Sequence, residues 1–134
     1  MKPETVAVIG VAGEPDQLSW VNGVPVIRPD AEIDAANAEH LRAAISAAGG
    51  IGPQVLIIDM SGTAFCDSTG LNVLVRAHRR LEEAGGELRL VAREPTLLRI
   101  FAVTGMDSMF RIFTTLDAAV AAPAVPGPAP AAEG

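Results

Sequence analysis

The sequence predicts an α/β domain, a mixed central β-sheet with helices packed against it. Three observations carry that expectation. Val55-Leu56-Ile57-Ile58 is a continuous apolar run without the alternation of a half-exposed strand, and the stretch Glu87 to Ala92, with Leu88, Leu90 and Val91 as its apolar core, reads as another buried strand. Strands of that kind are covered on both faces and belong to parallel sheets. Amphipathic stretches with apolar residues at helical spacing separate them. Asn22-Gly23 between two apolar segments is a strong hairpin signal, because both turn positions need positive φ. At 134 residues and 49% hydrophobic content, one domain is expected, able to bury roughly two-thirds of its unfolded surface.

In chain order, Thr5 to Val11 reads as an edge strand within an N-terminal segment 1–16, and the folded domain runs over 17–122. Gln17 to Val21 and Val24 to Arg28 flank the hairpin turn. Pro25 brings no N–H, so its strand must be free on one side there or slightly irregular. Asp34 to Ala48 reads as the first helix, with Leu41, Ala44, Ile45 and Ala48 on one stripe and Gly49-Gly50 as its stop. Pro53 precedes the first buried strand, which Asp59-Met60-Ser61-Gly62 ends as a turn cluster. A second helix carries Leu71, Leu74, Val75, His78 and Leu81 and closes at Gly85-Gly86. After the strand 87–92, Pro95 opens a third helix through Leu97, Leu98, Ile100 and Phe101, with Gly105 as its C-cap. Arg111 to Thr114 is a short strand, and Thr115 caps a last helix, Leu116 to Ala122. Residues 123–134, rich in alanine and proline, bring too little apolar surface to order themselves. Parallel strands in such an order are joined by right-handed crossovers.

Charge and cysteine usage narrow the function. The net charge of −6 lies entirely in residues 1–67, where three cations face nine acids; residues 68–134 balance seven against seven. The acids bunch at Asp30, Glu32, Asp34 and Glu39. That disfavours nucleic acid, whose binding rests on phosphate neutralisation, and suits a basic protein surface. One cysteine and two scattered histidines make neither a disulfide nor a zinc cluster, and a reducing cytoplasmic setting is expected. Met1 to Val11 is a poor signal peptide, and no apolar run approaches a membrane span. Glycine-rich phosphate loops are absent, so neither a nucleotide cofactor nor any other is expected. Cys66 reads as a small buried hydrophobe, His40 as a solvated surface residue and His78 as a boundary residue. A Ser68–His78 hydrolase pair is excluded by about 15 Å of helix between them and by the missing Gly-x-Ser-x-Gly elbow.

The informative segment is 59–70, Asp-Met-Ser-Gly-Thr-Ala-Phe-Cys-Asp-Ser-Thr-Gly. Asp67, Ser68 and Thr69 stand where a helix begins and where a side-chain oxygen can cap the free N–H groups. The bland reading is a plain cap. The sharper one is a modification point, since a phosphate at a helix start adds about two negative charges without refolding the chain.

Asp59-Met60-Ser61, Phe65-Cys66 and Asp67-Ser68-Thr69-Gly70-Leu71 together resemble the signature of the STAS domain family, and within it the bacterial anti-sigma factor antagonists. Val26 to Asp34 is similar to the family's second strand and the loop that follows. Leu88 to Val91, Pro95, Phe101, Thr104-Gly105-Met106 and Phe110 are similar to its C-terminal third. The resemblance implies that Ser68 is phosphorylated by an anti-sigma factor that is also a serine kinase. It implies that the unphosphorylated form binds this kinase and frees the sigma factor, that phosphorylation abolishes binding, and that a phosphatase resets the switch. Glu32, Asp34, Asp67, Thr69, Gly70 and Asn72 would then lie at the partner interface. The chain departs from the family at Ala31, where glycine is usual, at Asn37, where threonine is frequent, and at Asn72, where glycine is frequent. Another interaction module, in a signalling or transport-associated complex, is the alternative that the same fold allows.

Overall fold

The computed structural model describes residues 8–9, 17–49 and 55–124. A six-stranded sheet runs in the order β1-β2-β3-β5-β7-β8. Its members are β1 (Val8–Ile9), β2 (Gln17–Val21), β3 (Val24–Arg28), β5 (Val55–Asp59), β7 (Glu87–Val91) and β8 (Arg111–Phe113). β1, β2 and β3 pair antiparallel; β3, β5, β7 and β8 pair parallel. The expected mixed sheet is therefore present. The expected edge strand appears as β1, and the rest of Thr5–Val11, like the tail from 125 onward, lies outside the described residues.

The hairpin turn is as the sequence requires, with φ of 52° at Asn22 and 81° at Gly23. Pro25 sits opposite Trp20 in an interior strand. The β3–β5 ladder spans just Val26 and Ile27, so the missing N–H falls outside it.

Side-chain alternation along the central strands splits the core into two layers. Ile27, Leu56, Ile58, Leu88 and Leu90 point to one face and meet Leu41 of α1 (Ala38–Gly49), Leu74 of α2 (Ser68–Glu83), and Leu97 and Phe101 of α3 (Pro95–Thr104). Val26, Ile57 and Val91 point to the other face, against Ala119 of α4 (Leu116–Ala121). Arg89 also faces α4, 2% exposed. Its guanidinium donates to the Ala119 carbonyl at 2.6 Å and pairs with Glu87, which Arg111 also holds at 2.7 Å. α2 ends in a Schellman turn: Gly85 takes φ 83°, and Gly86 N–H donates to the Leu81 carbonyl at 2.7 Å.

Two departures from the sequence reading matter. The first helix begins at Ala38, not Asp34. Asp34 closes a separate turn ahead of it: its side chain accepts from the Ala36 N–H and its carbonyl from the N–H groups of Asn37 and Ala38, while Asn37 turns its amide back to the Glu32 carbonyl. Two further strands, β4 (Glu32–Ile33) and β6 (Phe65–Cys66), pair parallel as a second small sheet. At two residues each they are too short for any periodicity to reveal. No helix among the described residues is long and apolar enough to cross a membrane.

Candidate functional site

The site is built where β4 and β6 run on beyond the carboxyl ends of β3 and β5, the edge at which open α/β sheets present their binding surfaces. Glu32 pairs with Phe65 and Ile33 with Cys66. Ala64 N–H donates to the Ala31 carbonyl and Asp67 N–H to the Ile33 carbonyl, at 2.8 and 2.9 Å. The acidic loop and the start of α2, thirty-odd residues apart in sequence, are thus locked side by side. Buried Thr63 adds a hydroxyl bond to the Asp30 carbonyl at 2.9 Å.

Asp67 is the N-cap of α2. Its Oδ1 accepts from the N–H groups of Thr69 at 2.9 Å and Gly70 at 3.1 Å, satisfying two of the donors that a helix start leaves free. Ser68 is the first residue of the helix and is exposed, as are Thr69 and Asn72. Ser68 and Asn72, four apart, share a helical face. Gly70 lies beneath this face rather than on it. A Cβ there would stand 2.6 Å from both Cys66 Sγ and Ile33 Cγ2, so only glycine lets α2 sit so close to β4 and β6.

The acids sort into distinct roles. Glu32 is exposed on the rim. Asp34 is half-buried and holds the Ala36 N–H, and Asp30 accepts from the Asn37 amide at 3.1 Å. Glu39, on α1, is held by Arg42, whose hydrogen bond keeps its carboxyl below the usual range. Ala31, where the resemblance expects glycine, takes an ordinary backbone conformation. Deeper in, Asp59 is 2% exposed and paired with Arg28 at 2.7 Å. Burial pushes its carboxyl up, but the bonds from Arg28 and Ser61 outweigh that and leave it below the ordinary value.

Cys66 is buried, and burial together with the Asp67 charge pushes its thiol up to about 12. It is a packing residue and not a nucleophile. His78 is half-buried, edge-on to Phe110 at 5.3 Å. His40 departs from expectation: it is half-buried, with Nδ1 enclosed and unpartnered among the described residues. Among the described residues, no group of histidine, cysteine or carboxylate side chains could hold a metal ion.

Two residues named in the sequence reading without a role at the site have one here. Asn37 ties the loop together, donating to Asp30 and to the Glu32 carbonyl at 2.8 Å while accepting from Asp34 N–H at 3.0 Å. Its place beside three acids was the available signal. Phe65 is 42% exposed, two residues before Asp67. Strand alternation could have found it, since a buried Cys66 turns its neighbour outward.

The STAS domain family model matches residues 18–119. An anti-sigma-F factor antagonist, RsfB of Mycobacterium tuberculosis, is 33% identical over 99 residues, covering 74% of this chain and 80% of that protein. The crystal structure of an anti-sigma factor antagonist from Mycobacterium paratuberculosis superposes with a TM-score of 0.71 at 31% identity, covering 89% of this chain and 94% of that one. The antagonist SpoIIAA matches in its unphosphorylated form, with a TM-score of 0.67 at 29% identity over 78% of this chain and 92% of that one. Its phosphorylated form, from Bacillus, matches with a TM-score of 0.61 at 28% identity over 78% and 96%.

Proposed function

The chain belongs to the STAS domain family, and on that premise we propose that it is an anti-sigma factor antagonist switched by phosphorylation at Ser68. Its relatives are named as antagonists of anti-sigma factors, which makes them binding regulators rather than enzymes. In the proposed cycle the unphosphorylated chain captures a cytoplasmic anti-sigma factor, and the sigma factor is released. The captured partner is also a serine kinase. The Ser68 hydroxyl attacks the γ-phosphorus of the partner's ATP, ADP leaves, the hydroxyl proton is lost, and a phosphoserine remains. A phosphatase then hydrolyses the ester and restores the binding form.

One observation carries this reading. Asp67 already occupies the Thr69 and Gly70 N–H groups, so of the donors at the helix start a phosphate on Ser68 finds only its own residue's N–H unclaimed. It stays at the exposed surface beside Asp67 and on the same edge as Glu32 and Asp34. About two further negative charges there change the docking face without demanding that the fold change. Glu32, Asp34, Asp67, Thr69 and Asn72 supply the polar contacts of the proposed interface. Gly70 supports them from below, and Phe65 is its apolar anchor, a residue type enriched in interface cores. The acidic rim suits a basic surface on the kinase.

Affinity capture from the native cell tests the proposal, using Ser68→Ala and Ser68→Asp as baits and mass spectrometry to identify what is retained. The Ala bait should hold an ATPase-domain anti-sigma factor that the Asp bait loses. Retention of the same partner by both, or of no such ATPase by either, reduces Ser68 to a helix residue beside a cap.

A further inference from the structure

The far half of α2 carries a surface that the Ser68 switch does not use. Between α1 and α2 runs a groove of about 470 Å³ rimmed by Arg42, Arg76, Arg79 and Arg80. Its floor includes Ile45, Val73 and Ala77, apolar side chains continuous with the main core. Four of the chain's ten cations meet here, in a protein of net charge −6. Arg28, Arg42, Arg89 and Arg111 each hold a carboxylate. The guanidinium groups of Arg76, Arg79 and Arg80 have no hydrogen-bond or ion-pair partner among the described residues. Like charges three and four residues apart on one helix repel each other, so an external counter-charge would relieve a cost that the free chain bears.

The arrangement also says what kind of counter-charge fits. Arg76 and Arg80 are separated by one helical turn, the spacing of carboxylates at i and i+4 on a second helix. Guanidinium groups bind carboxylates in a planar, two-pronged way. The apolar floor would take the hydrophobic stripe of such a helix, laid along the groove as a third member beside α1 and α2. A nucleic-acid backbone could use the arginines but not the floor, and it would have to approach a chain with an acid excess.

We propose that the α1–α2 groove is a second docking site, which takes an acidic amphipathic helix of a protein partner. The site is independent of the state of Ser68, since Arg76 and Arg80 lie about 12 and 18 Å along α2 from it. It goes beyond the reading given above, and either can fail without the other.

Fluorescence anisotropy with the full chain tests it. The probe is a labelled helical peptide of about 18 residues, with glutamates at i, i+4 spacing beside a leucine stripe. Saturable binding is expected, weakened about tenfold or more in Arg76→Gln/Arg80→Gln and changed less than about twofold in Ser68→Asp. Because the double variant could perturb packing, amide-shift mapping of the wild-type chain serves as the second measurement. Perturbations should centre on Ile45, Val73, Arg76 and Arg80. Shifts centred elsewhere overturn the proposal, as does equal binding of a scrambled peptide or of oligoglutamate. Tighter binding of a short DNA duplex would assign the groove to nucleic acid instead, and absence of peptide binding would leave it without this role.

Discussion

Replacing Gly70 with alanine tests the packing on which the site rests. The new Cβ would stand 2.6 Å from Cys66 Sγ and from Ile33 Cγ2, whereas comfortable contact needs about 3.5–4 Å. Roughly 1 Å must therefore be found on two sides at once. Neither neighbour is the far end of a flexible side chain: Ile33 sits on β4, Cys66 on β6, and both are 2% exposed. Overpacking of this kind costs about 1–3 kcal/mol, and the alanine returns about 0.5–1 kcal/mol of helix propensity. A net loss of about 1–2 kcal/mol remains, which for a domain of this size lowers Tm by about 5–10 °C. Urea titration and thermal melting read it directly. Cys66→Ala removes one of the two obstructing atoms, so Gly70→Ala should cost less in that background, by a coupling of about 0.5 kcal/mol or more. A neutral Gly70→Ala, or an identical cost in both backgrounds, would refute the claim that close approach fixes glycine here.

Other expectations follow from the same geometry. Asp67→Ala should destabilise the domain by about 1 kcal/mol in urea titration, while Asp67→Asn, which keeps an acceptor, should cost a fraction of that. Arg28→Ala leaves the buried Asp59 carboxylate short of a partner and should cost about 1–3 kcal/mol at neutral pH. The Asp59 pKa is lowered from 3.8 in the fold, so its stabilisation is complete above the unfolded value and is lost as pH falls through the lower folded value. The gap between wild type and Arg28→Ala should therefore narrow in acid, and a gap independent of pH would contradict the pairing. Cys66, buried with its thiol pushed up to about 12, should resist iodoacetamide at pH 8 until denaturant opens the domain. Rapid alkylation of the native chain would mean that the β6–α2 junction opens readily.

The framework was legible because its signals are long or chemically strict. Continuous β-branched runs announced β5, and Asn22-Gly23 announced the hairpin, since two consecutive positive φ angles leave few alternatives. What stayed hidden is short-range or three-dimensional. β4 and β6 hold two residues each, and only their pairing with each other gives them meaning. α1 starts at Ala38 after a separate turn that Asp34 and Asn37 tie to the loop, a detail that helical spacing cannot register. Arg89 reads as an interruption in an apolar strand, yet it is buried because Glu87 and the Ala119 carbonyl meet it from different elements. The candidate site divides the same way. Ser68 and its flanking residues were found through a contiguous motif, whereas the roles of Phe65 and Asn37 needed the structure, because one matters through exposure and the other through three separate partners along the loop.

The cap explains how a switch can sit inside the fold without breaking it. A helix start with free N–H groups would draw a new phosphate inward and stabilise it there, at the expense of whatever surface it had occupied. At α2 that route is narrowed to the Ser68 N–H, because Asp67 holds two of the donors and the Leu71 N–H is bonded to the Asp67 carbonyl at 2.9 Å. On the proposed reading the added charge is left in solvent, among acids that repel it and opposite a basic partner surface shaped for a neutral hydroxyl. The energetic consequence then falls on the complex and hardly on the monomer. Phosphorylated and unphosphorylated chains should accordingly melt within about 1 kcal/mol of each other, the scale of an exposed charge–charge contact, while their affinities for the anti-sigma factor differ by far more. A phosphoform that loses several kcal/mol of fold stability would contradict this, and would mean that the switch works by loosening α2 instead of by charge at its surface.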